Sequence, residues 1–118
     1  MITHATMDHE KFLSCIDACL DCATACENCS SLCLQEEGVA RLVECIQLNR
    51  ECVEVCYAAA RLMNIGGINA GALCHVCAEI CSACASECEK HPMSHCQECA
   101  QSCRTCAEEC RNMSIVNG

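Results

Sequence analysis

Six cysteines near the N-terminus, Cys15, Cys19, Cys22, Cys26, Cys29 and Cys33, follow one another at steps of 4, 3, 4, 3 and 4. Two later runs repeat the arrangement. Cys74, Cys77, Cys81, Cys84 and Cys88 step by 3, 4, 3 and 4, and so do Cys96, Cys99, Cys103, Cys106 and Cys110. Cys45, Cys52 and Cys56 complete a set of nineteen. A deprotonated thiol is a soft ligand suited to copper(I), zinc or iron–sulfur centres, so metal binding is the chemistry this pattern can perform. Residues three and four apart on a helix share a face, with Cβ atoms about 5–6 Å apart. A linear sulfur–metal–sulfur unit built from bonds of about 2.3 Å spans about 4–5 Å. A Cys-x3-Cys pair can therefore hold a two-coordinate metal after small rotamer adjustments, and neighbouring helices can supply further bridges.

A mean step near 3.5 residues is the period of the inward seam of a helix in a bundle. Ala18, Ala23 and Ala25 among the first cysteines are strong helix formers. The spacing predicts a first helix over about 7–37, capped by Thr6, with Asp8 and Glu10 at its positive N-terminal end. Residues 1 to about 6 read as a frayed arm, and Gly38 as the C-terminal stop. A second helix is expected over about 39–64, with the seam Cys45, Leu48, Cys52, Cys56, Ala59, Met63. After the turn Asn64-Ile65-Gly66-Gly67, a third covers about 68–90. His91-Pro92 then breaks the chain, and a fourth covers about 92–112 with Pro92 in its first turn. Asn112 to Gly118 reads as a polar tail. Short turns between such helices imply an all-α, up-down-up-down four-helix bundle with a Cys-lined core, a single domain over 1–118.

The totals bound the rest. Cysteine makes up 19 of 118 residues, while Trp is absent and Phe and Tyr occur once each. A conventional hydrophobic core would be thin, so thiols must fill part of the interior. Ile16, Leu20, Ile46, Val53, Leu62, Leu73 and Ile80 lie off the thiol seams, flank the core, and favour self-association where exposed. A net charge of −9 argues against nucleic acid or an anionic membrane as a partner. No apolar run approaches the roughly 20 residues of a membrane span. The start of the chain shows no basic n-region with an apolar h-region and no twin arginine, so the expected location is the cytoplasm. Thiols stay reduced there, which favours metal over disulfides.

Charge selects among the metals. Nineteen buried thiolates without partners would be very costly. Zinc with four ligands each would fill roughly four or five sites and leave about half of that charge unmet. Copper(I) accepts two thiolates, and each thiolate can bridge two ions, so the limit is about one copper per cysteine and a neutral core. The familiar iron–sulfur clustering of cysteines is absent. Catalysis wants one activated thiol beside an orienting His, and no thiol is singled out, so the chain reads as a non-enzyme. Two alternatives stay open: a zinc or cadmium thiolate buffer, and a disulfide-stapled structural bundle.

The up-down order sorts the remaining ligands into two ends. One end gathers Cys33, Cys45, Cys88 and Cys96 with His91 and His95, near Glu36, Glu37 and Arg41. His91 continues the third seam three residues past Cys88; His95 lies one residue off the fourth. Neutral imidazole can ligate copper, so both are candidates, and this polar end is chosen for metal uptake. The other end gathers Phe12, Cys15, Met63, Cys74 and Cys110, with Met113 near, and reads as an apolar plug. The thioethers of Met63 and Met113 are further candidate ligands. His4, His9 and His75 are assigned no role.

The cysteine run 15–33, Arg50-Glu51-Cys52, Cys74-x2-Cys77-x3-Cys81-x2-Cys84-x3-Cys88, and Cys96-Gln97-x-Cys99-Ala100-x2-Cys103-x2-Cys106-Ala107-Glu108-x-Cys110 together resemble the bacterial copper storage proteins, in particular their cytosolic four-helix members. The resemblance covers nearly the whole chain. It implies a homotetramer of four-helix bundles, each storing many copper(I) ions on core thiolates. It further implies a His-bearing end that admits copper and a role in copper tolerance or supply; a copper chaperone is a candidate donor. Leu48 and Ala59 sit on the second seam without thiols, so copper there would lean on the facing helices.

Overall fold

No proline and no glycine fall between residues 1 and 37, and the first stretch forms one long helix. The structure is a computed structural model that describes residues 2–117, with side chains described over 9–113. It contains α1 (Ile2–Cys33), a short 3-10 segment (Val39–Leu42), α2 (Val43–Asn64), α3 (Ala70–Cys88) and α4 (Ser94–Asn117). No strand occurs among the described residues. The Thr6 cap falls outside the described side chains.

The helix boundaries differ from the expected ones. Residues 2–6 are helical rather than a frayed arm, and 112–117 continue α4 rather than forming a tail. Helix α1 stops at Cys33 instead of reaching Glu37. Gln35 N–H donates to Leu32 O at 3.0 Å and Glu36 N–H to Cys33 O at 3.2 Å, so the chain tightens into turns there. The early stop lets residues 34–42 cross the end of the bundle, where the 3-10 turn buries Leu42. Residues 39–42 form that 3-10 turn, so α2 begins at Val43 rather than Val39. Helix α3 begins at Ala70 rather than Ile68, whose side chain is 97 % exposed and has nothing to pack against. Helix α4 begins at Ser94, so Pro92 precedes the helix. Cys96 and Gln97 N–H both donate to Met93 O, and the Gln97 amide donates to His91 O at 2.7 Å, pinning the turn from within α4.

The α2–α3 turn requires a glycine. Gly66 has φ +62°. Its N–H reaches Met63 O at 3.1 Å, while Gly67 N–H reaches Leu62 O at 2.9 Å, the paired bonds of a left-handed helix stop.

The four helices form a rod of 55 × 19 × 18 Å. Helices α1 and α3 each pack against α2 and α4. Neighbours run antiparallel: Cys15 faces Cys110 and Cys29 faces Cys96 across α1 and α4, while Cys45 faces Cys88 and Cys56 faces Cys77 across α2 and α3. This is the expected up-down-up-down bundle. Ala23, Ala59, Ala60, Ala78, Ala85, Ala100 and Ala107 are buried beside the cysteines. Small side chains at helix contacts let the axes approach closely, and the space between them is left to sulfur. Of the off-seam apolar set, Ile16 is buried; Ile46, Val53, Leu62, Leu73 and Ile80 pack partly buried against the core; Leu20 stays 40 % exposed.

Polar contacts tie the helices on the outside. Arg104 donates twice to Glu89 and once to Ser86, and Arg111 reaches Ser82, all joining α4 to α3. Tyr57 Oη donates to Glu27 at 3.2 Å, joining α2 to α1.

Candidate metal centre

All nineteen cysteine side chains are fully buried, each at 0 % exposure, and all are free thiols. Their seams meet along the bundle axis as one column of sulfur. Adjacent Sγ atoms lie 3.3 to 4.0 Å apart, the shortest being Cys52 to Cys81 and the longest including Cys22 to Cys26. The links run from Cys15 to Cys110, Cys19 and Cys106, on to Cys56 and Cys81, then through Cys52, Cys22, Cys103 and Cys26 to Cys99. At least five groups of four thiols keep their Sγ atoms within 4.8 Å of one another. One group joins Cys22, Cys52, Cys56 and Cys81; another joins Cys26, Cys84, Cys99 and Cys103. A third group, Cys22, Cys26, Cys52 and Cys103, shares two cysteines with each of these, so thiols there can be shared between neighbouring ions.

A polar residue interrupts the column. Asn49 is completely buried, and it rather than Leu48 holds the inward position of α2; Leu48 packs to the side. The α2 seam is therefore Cys45, Asn49, Cys52, Cys56, Ala59, Met63, an unbroken alternation of 4 and 3. Asn49 Oδ1 accepts from Cys84 at 3.1 Å, Cys99 at 3.2 Å and Cys88 at 3.7 Å, and its Nδ2 donates to Cys45 at 3.7 Å. The amide thereby joins the long column to the thiols at the polar end. Its own polar atoms are satisfied, and among the described residues no buried side-chain nitrogen or oxygen lacks a partner. Sequence reasoning missed Asn49 because Leu48 is apolar and also falls at helical spacing from Cys45.

At the polar end Cys29, Cys33, Cys45 and Cys96 form a further four-thiol group. His95 Nδ1 lies 3.3 Å from Cys29 Sγ and 3.6 Å from Cys96 Sγ, while Nε2 lies 2.9 Å from Glu36 Oε2. A carboxylate on one ring nitrogen orients the other toward the thiols, as for metal-bound imidazoles. His91 is placed differently. Its Nε2 is 2.8 Å from Glu87 Oε2, and Glu87 also accepts from Lys90 at 3.2 Å. Among the described residues the ring's hydrogen bond goes to Glu87 and none goes to a thiol. The chain leaves the helix after Cys88, and the rotation of the seam ends with it.

At the opposite end Phe12, Cys15, Met63, Cys74 and Cys110 are buried together, the expected plug. Cys74 Sγ–H donates to Met63 Sδ at 3.7 Å, which puts that thioether among the thiols. Met113 is partly buried against the core. His9 bonds Asn64 at 3.0 Å and His75 faces Glu79 at 3.7 Å, both on the surface and away from sulfur.

The electrostatics follow from crowding. Hydrogen bonds with Cys45 and Cys88, against the opposing effect of Cys99 and burial, bring the Cys29 thiol down to about 5, with His95 acting in the same direction. Burial, followed by the neighbouring charge on Cys29, pushes Cys33 up to about 11. Hydrogen bonds to neighbouring thiols and then burial drive Cys56 and Cys103 in the column, and Cys88 at the polar end, far above the ordinary thiol value. Ionising one thiol holds the proton on the next. The column therefore cannot carry many thiolates at once without cations. Burial pulls His95 down, but Cys29 and Glu36 outweigh it and raise its pKa. Glu87 is opposed by burial, yet His91 and Lys90 hold it below the usual carboxylate value.

A family model for copper storage proteins matches residues 8–115. The cysteine-rich protein YhjQ of Bacillus subtilis is 46% identical over 83 residues, spanning 70% of this chain and 77% of that protein. The solved structure of the Cu(I)-bound copper storage protein BsCsp3 has a TM-score of 0.85 and 44% identity, covering 88% of this chain and 98% of its own. A cytosolic copper storage protein of Streptomyces lividans carrying five coppers has a TM-score of 0.88 and 35% identity, covering 93% of this chain and 97% of its own.

Proposed function

The chain belongs to the copper storage protein family, and from that premise we propose how its thiols and their flanking residues hold copper(I). The protein stores many Cu(I) ions on core cysteines. One observation carries the reading: nineteen free thiols, all fully buried, line the bundle axis, most with a neighbouring sulfur in contact and with Asn49 bridging the long column to the polar-end thiols. Each copper(I) that binds displaces a proton from a thiol and brings the positive charge that burial demands. The thiolates are soft enough to hold it and close enough to bridge it.

The ligands are Cys15, Cys19, Cys22, Cys26, Cys29, Cys33, Cys45, Cys52, Cys56, Cys74, Cys77, Cys81, Cys84, Cys88, Cys96, Cys99, Cys103, Cys106 and Cys110, at about one ion each by the bridging limit. Copper enters at the polar end, where His95 joins Cys29 and Cys96; His91 and Glu87 flank the opening without reaching sulfur. Met63 closes the far end as a weak thioether ligand beside Cys74, and Met113 packs against the core. The 118 residues act as one domain, located in the cytosol as is the similar Streptomyces lividans protein. Bundles associate as homotetramers through outer apolar faces that include Leu34 and Val43, which are 64 % and 60 % exposed. The family is one of storage proteins, not of enzymes, and no reaction is assigned to the chain. A copper chaperone donates the metal.

Anaerobic titration of the reduced protein with copper(I) tests the reading. Saturation near one metal per thiol, with helicity already present before metal, is the expected result. Saturation at four or five ions would replace it with a tetrahedral zinc-type buffer.

A further inference from the structure

We propose that the reduced core also captures trivalent arsenic, taken up as the neutral hydroxide, with Cys22, Cys52 and Cys81 as the first site. These three thiols come from α1, α2 and α3, and each is fully buried. Their Sγ atoms form a closed triangle with edges of 3.6 Å (Cys22–Cys52), 3.3 Å (Cys52–Cys81) and 4.0 Å (Cys22–Cys81). With bonds of about 2.3 Å to sulfur, a planar three-coordinate centre needs edges of about 4.0 Å, and a linear one about 4.6 Å. A pyramidal centre with near-right angles needs only about 3.3–3.6 Å from bonds of the same length. Two of the three edges already have that length. Trivalent arsenic is such a centre: three bonds and a lone pair, with no fourth ligand required.

The chemistry balances without any other reactant. One arsenous acid, As(OH)3, and three thiols give As(SR)3 and three waters. Three As–O bonds break and three As–S bonds form. Each hydroxide leaves with one thiol proton, and arsenic stays trivalent throughout. Reactant, product and site are all neutral. The buried triangle is never asked to hold an uncompensated charge, whereas a divalent ion on three thiolates would leave one. The small uncharged hydroxide also carries no ionic hydration shell to lose on passing the polar end. Cys103 lies 3.6 Å from Cys22 and 4.0 Å from Cys52, so a fourth thiol stands ready to exchange onto the centre and pass it along the column. By thiol count the nineteen cysteines set a ceiling of six such centres.

The inference rests on a reduced thiol core and not on copper storage, and the test keeps the two apart. Reduced, metal-free protein is titrated anaerobically with sodium arsenite. It is followed by non-denaturing mass spectrometry, circular dichroism and arsenic X-ray absorption. The expected product gains one arsenic and loses three hydrogens per centre, keeps its helicity, and shows three As–S bonds and no As–O bond. At one equivalent, alkylation and peptide mapping find Cys22, Cys52 and Cys81 protected. The combined variant C22S/C52S/C81S loses one equivalent. Where that variant fails to fold, the wild-type absorption spectrum and protection map decide. Absence of binding, binding that abolishes helicity, two As–S bonds with retained oxygen, or protection of other cysteines first would overturn the proposal. A copper(I) titration of the same sample completes the test. Full copper uptake without arsenic overturns this inference alone, and failure of both overturns the storage reading with it.

Discussion

Cys52 touches sulfurs of all four helices, and its replacement by alanine separates the two roles that every cysteine here must play. Its Sγ lies 3.3 Å from Cys81, 3.6 Å from Cys22, 3.9 Å from Cys56 and 4.0 Å from Cys103, sulfurs drawn from all four helices. As a packing group, the sulfur compares with a buried methylene, worth about 0.8 kcal/mol in transfer. The void left behind costs more in proportion to its volume, so the sum is about 1–2 kcal/mol in the metal-free protein. For a domain of this length that lowers the melting temperature by about 4–8 °C. As a ligand, the same sulfur should account for about one copper out of the full load, because neighbouring thiols remain in contact with one another and keep bridging. Thermal unfolding of reduced, metal-free C52A by circular dichroism measures the first effect, and anaerobic copper(I) titration the second. An unchanged melting temperature would show that the thiols do not support the fold. A loss of four or more coppers would show that they act as closed clusters and not as a shared column.

Three further outcomes follow from the same geometry. N49L should leave metal-free stability within about 1 kcal/mol of the parent, because thiols are weak partners and an apolar group of similar shape replaces the amide. N49D should cost more, because a buried carboxylate faces thiols that cannot neutralise it; urea denaturation midpoints in the opposite order would sink this account. His95 has a raised pKa in the folded protein, so its contribution is complete below the unfolded value near 6.5 and is lost as pH rises through the higher folded value. Melting temperature plotted against pH should therefore fall less steeply between those two values for H95A than for the parent, and parallel curves there would refute the assignment. R104A removes a paired contact to Glu89 in which both side chains are 46 % exposed, so it should cost less than about 1 kcal/mol and less still at high salt; a loss above about 2 kcal/mol would mean the outer ladder carries the α3–α4 packing.

The thiol column was legible in the sequence because cysteine stands where a bundle seam places leucine and no other residue competes for those positions. Three seams could be drawn from cysteine alone. The α2 seam could not, since it holds only Cys45, Cys52 and Cys56, and the gap between the first two admits either Leu48 or Asn49. Hydropathy favours Leu48. The alternation that continues through Ala59 and Met63 favours Asn49, and burial of its amide is tolerated because four thiols surround it. The two histidines are set by different causes. A seam extrapolated from Cys88 to His91 assumes the helix continues, but α3 ends at Cys88. His95, one residue off its own seam, leans back over Cys29 because Glu36 holds its far nitrogen. Glu36 can do so only because α1 ends early and residues 34–42 cross the opening, a path that buries Leu42 and that no local signal announces.

One bundle can serve both the empty and the loaded state because loading exchanges like for like. A proton leaves each thiol as a monovalent ion arrives, so the buried charge stays near zero at every stage of filling. The geometric demand is also small. Sulfurs now 3.3 to 4.0 Å apart need separations of about 4.0–4.6 Å to span a planar or linear copper with bonds of about 2.3 Å. Cβ atoms three and four residues apart on one helix already stand about 5–6 Å apart, so rotation about χ1 supplies the extra reach while the backbone stays in place. Buried alanines beside the seams, among them Ala23, Ala78 and Ala100, lack side chains long enough to block that rotation. A leucine at any of them would fill the space into which a thiol must swing, and would stiffen the empty protein while lowering its capacity.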